Sequence, residues 1–74
     1  MAEISLRMTY DPDADAAYIY ISDPIEPGSS VQNAVMDHDL AGTAVVGDFD
    51  REGHLLGVEL LGVSRLLRPG VTPS

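Results

Sequence analysis

Near the start of the chain, Ile4, Leu6, Met8 and Tyr10 alternate with Ser5, Arg7 and Thr9. Alternation at period two marks a half-buried strand, because successive side chains leave a pleated strand on opposite faces. A first strand is therefore expected from Ile4 to Tyr10. The next apolar run, Ala17 to Ser22, places Ile19 and Ile21 on one face and Tyr18 and Tyr20 on the other, so both faces want cover. "SDPIEPGSS" holds two prolines and a glycine and reads as a loop over 22–30. A weaker strand, Val31 to Met36, follows. "DHDLAG" reads as a turn or wide loop, after which Thr43 to Phe49 and His54 to Leu61 flank "DREG". Asp50 at the first position and Gly53 at the fourth suit a type I turn closed by a left-handed glycine, which predicts a hairpin. Beyond Gly62 the pattern changes to "VSRLLRPG", where Ser64 is placed to cap a single helical turn and Pro69 to stop it.

The joint between the first two strands is "YDPDADAAYIYI". Asp11 suits a helix N-cap, Pro12 the first helical position, and Asp13 the positive end of the helix dipole, so "DPDADAA" reads as one capped helical turn. Asp15 is left over. Either it bonds a backbone N–H of the turn, or it is exposed for a partner. The fold expected is a single α+β domain over 1–74: a small, mainly antiparallel sheet of about five strands, with a short helical turn after strand 1 and a short C-terminal helix. Residues 1–3 and 70–74 are expected to fray.

Composition narrows the functional classes. Twelve acidic residues stand against four basic ones, for a formal charge of −8. Such a surface repels phosphate backbones and anionic membranes, which argues against direct nucleic-acid or membrane binding and points any charged partner toward the basic class. A hydrophobic content of 45% is enough to fold a chain of 74 residues, but the core is small. By size scaling, a folded monomer of this mass exposes roughly 4,400 Å², and its stability is marginal. There is no cysteine to add a disulfide or a thiolate zinc site. Self-association, as a homodimer or higher, is the expected supplement. "MAEISLRM" lacks a basic start with a long apolar core, and no apolar run approaches ~18 residues, so a cytoplasmic protein is expected.

Two stretches carry candidate cation chemistry. Asp11, Asp13 and Asp15 have the spacing of the first alternating ligands of a calcium loop, but Ala16 stands where glycine is needed and Ser22 where a bidentate glutamate is needed. "DFDREGHLLGVE" fits better, with Asp48, Asp50 and Glu52 followed by Gly53 and, at the last position, Glu59. Its flanks are β-branched or glycine-bearing, unlike the helices of such a loop, and in a hairpin Glu59 lies too far up the second strand to close a cage. Asp48, Asp50 and Glu52 remain the metal candidates. His38 between Asp37 and Asp39, with His54 brought near by folding, is a weaker divalent set. No cysteine nucleophile, Gly-x-Ser-x-Gly elbow or glycine-rich phosphate loop is present, so neither catalytic residues nor a cofactor are expected.

"MTYDPDADAAYIYIS" and "DFDREGHLLGVELLGVSRLL" together resemble the small bacterial family called domain of unknown function 2283. Tyr10, Asp11, Pro12, Asp15, Tyr18, Gly53, Gly57, Glu59 and Ser64 occupy the matching positions. Departures are conservative, at Val58 and Leu60, together with a longer middle loop from Asp23 to Ser30. The resemblance implies the sheet fold and no particular chemistry. Some relatives are similar to predicted antitoxins encoded beside small ribonuclease-like toxins. The expectation is thus a non-enzymatic, homodimeric protein-interaction module, antitoxin-like in its specific form, with Asp15, Tyr18 and Tyr20 as partner-binding residues and a basic protein as partner. The alternative is divalent-metal or small-ligand binding through the acidic loops.

Overall fold

In the computed structural model, which describes residues 1–36 and 40–73, alternation of apolar and polar positions produces five strands and one helical turn. The strands are β1 (Arg7–Asp11), β2 (Ala16–Tyr20), β3 (Gln32–Met36), β4 (Ala44–Phe49) and β5 (Leu55–Leu61), followed by α1 (Val63–Leu66). They form one antiparallel sheet in the order β1-β2-β5-β4-β3. Asp37, His38 and Asp39, the weaker divalent set, lie outside the described residues. No helix among the described residues is long and apolar enough to cross a membrane.

The β1–β2 and β4–β5 hairpins follow from their turn residues. In β4–β5, Gly53 N–H donates to the Asp50 carbonyl at 3.0 Å, and Asp50 N–H donates to the His54 carbonyl at 3.0 Å. Gly53 has φ 87°, the left-handed conformation the sequence assigned to it. The register then slips by one residue between Asp48 and Phe49, a bulge beside the turn.

The helical turn expected after strand 1 is absent, and a β-hairpin turn stands there instead. Asp11 pairs with Ala16 across the end of the β1–β2 ladder, so only 12–15 remain to reverse the chain. Asp11 still acts as a cap: its Oδ1 accepts from Asp13 N–H at 3.0 Å and Ala14 N–H at 3.3 Å. The same carboxylate-to-amide bonding serves a helix start and an Asx turn, and here strand pairing on both sides selects the turn.

Register puts Tyr10, Ala17, Leu60, Val45 and Met36 in one row across all five strands. Their inner face meets α1. Among the described residues, Ala17, Leu56, Leu60 and Val63 are the buried hydrophobics. Val63 is 1% exposed and packs with Ala17 and Leu60, ringed by Tyr10, Ile19, Val45, Val58, Leu66 and Leu67. A helix of only four residues covers one end of the inner face and no more.

Candidate functional site

The outer face carries a polar and aromatic ladder built by register. Arg7, Tyr20, Gly57, Asp48 and Asn33 lie in one row. The Arg7 guanidinium sits 3.7 Å from the centre of the Tyr20 ring and pairs with Asp23 at 2.9 Å. Tyr20 meets Tyr18 edge to face, with ring centres 4.9 Å apart. Tyr18 then reaches over Gly57, and its hydroxyl donates to Asp48 Oδ2 at 2.7 Å, while Asn33 donates to Asp48 Oδ1. Gly57 makes the reach possible. A Cβ at that position would lie 2.3 Å from the Tyr18 hydroxyl oxygen. Partial burial of the ring, with the Asp48 carboxylate beside it, pushes the Tyr18 phenol up to about 12.

Asp15 is bound to the start of α1. Its φ of 51° is left-handed, a conformation that aspartate tolerates better than most residues. In that pose its carbonyl accepts from Gly62 and Val63 N–H, each at 3.0 Å. Its carboxylate accepts from Ser64 N–H at 2.9 Å and from the Ser64 hydroxyl at 2.7 Å. Four hydrogen bonds therefore tie the β1–β2 turn to the start of α1. Ser64 does not cap this helix, as its place in the sequence suggested. Gly62, left-handed at φ 71° and without a side chain, holds the N-cap position, and the missing cap oxygen comes from Asp15.

The metal candidates divide. Asp48 is held on the outer face by Tyr18 and Asn33. Asp50 and Glu52 meet at the hairpin turn with His54, and one ligand atom from each lies within 4.8 Å of the others. Asp50 Oδ1 is already engaged, accepting from Glu52 N–H at 2.9 Å and His54 N–H at 2.8 Å. Those amides hold its carboxyl below the usual carboxylate range. Glu59 sits mid-strand between Tyr18 and Val46, away from the turn. The other Asp50 oxygen, Oδ2, faces His54 Nδ1 at 3.4 Å, so what this arrangement offers a cation is two carboxylates and an imidazole that Asp50 already partners within the turn, a donor set closer to a borderline divalent metal than to calcium.

On the inner face, beyond the reach of α1, lies an open apolar hollow of about 420 Å³ lined by residues 34–36 of β3, Val45, Gly47 and Phe49 of β4, and Leu55 and Val58 of β5. Ala34 pairs with Gly47 and Gly47 with Val58, and the Phe49 ring and the Leu55 side chain lie against Gly47.

The model of one protein family, described as a protein of unknown function (DUF2283), matches residues 7–64. The chain belongs to the DUF2283 family. The match runs from the first residue of β1 to Ser64, the residue that Asp15 holds. No curated protein and no solved structure matches the chain. The motif residues that carry the DUF2283 resemblance are brought together in pairs: Asp15 with Ser64, and Tyr18 over Gly57. Asp48 as the anchor of Tyr18, Arg7 stacked on Tyr20, and the apolar hollow were not found from sequence. Only strand register, which aligns Arg7, Tyr20 and Asp48 in one row, carries that signal.

Proposed function

We propose that this DUF2283 protein is a non-enzymatic protein-interaction module that works as a homodimer. The observation that carries the reading is surface area. The chain exposes 5604 Å², against roughly 4,400 Å² expected of a folded monomer of its mass. The surplus, on the order of 1,200 Å², is spread over the terminal segments, where Met1, Ile4, Leu6 and Val71 are exposed, as well as over the sheet. Much of the exposed surface is apolar, including Val35 at 69% and Met36 at 59% exposure. Sedimentation velocity at micromolar concentration tests the reading: a species of twice 7.9 kDa is expected, and a monomer at all accessible concentrations overturns it.

The specific form of the reading is an antitoxin-like module whose further partner is a small basic protein. The charge of −8 supports it, since complementary charge speeds encounter and masks a basic surface. Binding of this kind weakens steeply with added salt.

A second reading, a divalent-metal site, is favoured by the convergence of Asp50, Glu52 and His54. Calorimetric titration with zinc and with calcium tests it. Neither heat nor a shift in melting temperature at millimolar metal would remove it.

A further inference from the structure

We infer that the outer face binds an arginine side chain of the basic partner in a notch beside Tyr18 and Glu59; the inference rests on the basic-partner reading above and names its contact surface. Two residues along the strands from the row of Arg7 and Tyr20, a second row on the same face holds Thr9, Tyr18, Glu59, Val46 and Val35. In it lies a notch of about 210 Å³, lined by residues 9–11 of β1, residues 16–18 of β2 and Glu59 of β5. That volume is below the ~300 Å³ at which small-molecule pockets begin, and suits a single side chain.

Three observations point to a guanidinium. The first is a precedent within the chain. One row away the same face already holds one: Arg7 lies 3.7 Å from the centre of the Tyr20 ring and forks onto Asp23, Nε to Oδ2 at 2.9 Å and Nη2 to Oδ1 at 3.2 Å. A ring and a carboxylate together suit this planar cation, which stacks on the one and donates paired hydrogen bonds to the other. In the second row the ring and the carboxylate recur as Tyr18 and Glu59, but β1 supplies Thr9 where it supplied Arg7. The second observation is the state of Glu59. It is half-buried on the middle strand of the sheet, between Tyr18 and Val46. Among the described residues, no hydrogen bond or ion pair holds its carboxylate. A carboxylate that gives up part of its water without a partner costs the fold free energy, and an incoming cation offsets that cost. The third is charge. Asp11 brings a second carboxylate, of which only Oδ1 is engaged by the turn amides, and no basic residue lines the notch. A chain of −8 draws a cationic segment toward such a place. Tyr18 is already fixed there by Asp48 and Tyr20, so little ordering is left for the partner to impose.

The test uses the full chain, isotope-labelled and followed by amide NMR at low salt. It is titrated with a capped glycine–arginine–glycine peptide, and with the same peptide carrying citrulline, which keeps the shape of arginine without its charge. The arginine peptide is expected to shift the amides of Thr9, Ala16, Tyr18 and Glu59, and the citrulline peptide to shift none. Glu59→Gln is expected to weaken binding about tenfold or more, whereas Glu26→Gln, the same change of charge at an exposed loop position, leaves it unaltered. Because Glu59→Gln breaks no hydrogen bond of the fold, its melting temperature is expected to match or exceed that of wild type. A lower melting temperature with peptide binding unchanged assigns the carboxylate to the fold and overturns the inference. Shifts that centre on the Asp50–Gly53 turn also overturn it, and leave the basic-partner reading intact. The absence of shifts at every residue removes both. A Glu59→Gln chain that sediments differently from wild type assigns the notch to an arginine of a second copy, which overturns the basic partner as its occupant.

Discussion

Replacing Asp15 by alanine removes the device that ties the β1–β2 turn to the start of α1. Two carboxylate bonds to Ser64 are lost, at 2.9 and 2.7 Å. Loss of a helix-capping oxygen costs about 1 kcal/mol and up to about 2. Holding alanine at a φ of 51° adds about 1 kcal/mol, since its Cβ crowds the following carbonyl and no short polar group compensates. The expected loss is about 2–3 kcal/mol, which for a domain of this size lowers the melting temperature by roughly 10–20 °C. Companion variants separate the contributions. Asp15→Gly loses the same bonds without the backbone penalty and is expected to recover about 1 kcal/mol of the loss. Asp15→Asn keeps an acceptor oxygen and the left-handed tolerance, and is expected to cost about 0.5–1 kcal/mol. Thermal melts followed by circular dichroism read all three, and a double-mutant cycle with Ser64→Ala measures the coupling. A fall of less than ~3 °C for Asp15→Ala, or strict additivity of Asp15→Ala with Ser64→Ala, would refute the reasoning.

The outer-face ladder and the α1 junction make further predictions. Gly57→Ala drives a Cβ into the Tyr18 ring and is expected to cost about 1–3 kcal/mol in urea denaturation, with a smaller cost when Tyr18 is first replaced by alanine. Gly62→Ala is expected to be worse, because the new Cβ would lie 2.2 Å from the backbone oxygen of Gly42, which cannot swing aside as a side chain can. Tyrosinate absorbance on alkaline titration is expected to show one step near 12 that disappears in Tyr18→Phe. The ordinary value is 10.0 and the folded one is higher, so the folded state favours the protonated phenol. That contribution is whole below pH 10 and is lost as pH rises through about 12. Asp23 and Asp50 act at the opposite end: both carboxyls lie below their ordinary 3.8, Asp23 through Arg7 and Asp50 through the His54 and Glu52 amides. Their stabilisation is present above 3.8 and is lost as pH falls through the lowered folded values, so Asp50→Asn is expected to flatten the acid limb of a pH–melting profile.

What could be read from sequence was what is local. The Asp50–Gly53 turn depends on residues three apart, and its flanking strands on alternation over a few positions, so the β4–β5 hairpin was legible almost to the residue. The turn after strand 1 was read as helical because Asp11 and Pro12 give the same signal for an Asx turn as for a helix start. What decides between them is the pairing of Asp11 with Ala16, a property of two strands together. Asp15 had no visible partner because Ser64 is 49 residues away. Asp48 looked like one of three turn carboxylates, yet a strand residue next to the turn points to a face, and the face it joins is that of Tyr18. Gly57 gave no sign of its purpose, since a glycine in a strand acquires meaning only from the ring that lies over it. The hollow was equally hidden, being the part of the inner face that the four-residue α1 does not reach.

The most direct test of self-association as the completion of this small core is the melting temperature measured against protein concentration. For a dimer whose interface finishes the fold, the midpoint rises with each tenfold increase in concentration, by mass action. A midpoint that climbs steadily from micromolar to millimolar protein is the predicted result. A wild-type midpoint independent of concentration over that range would contradict it.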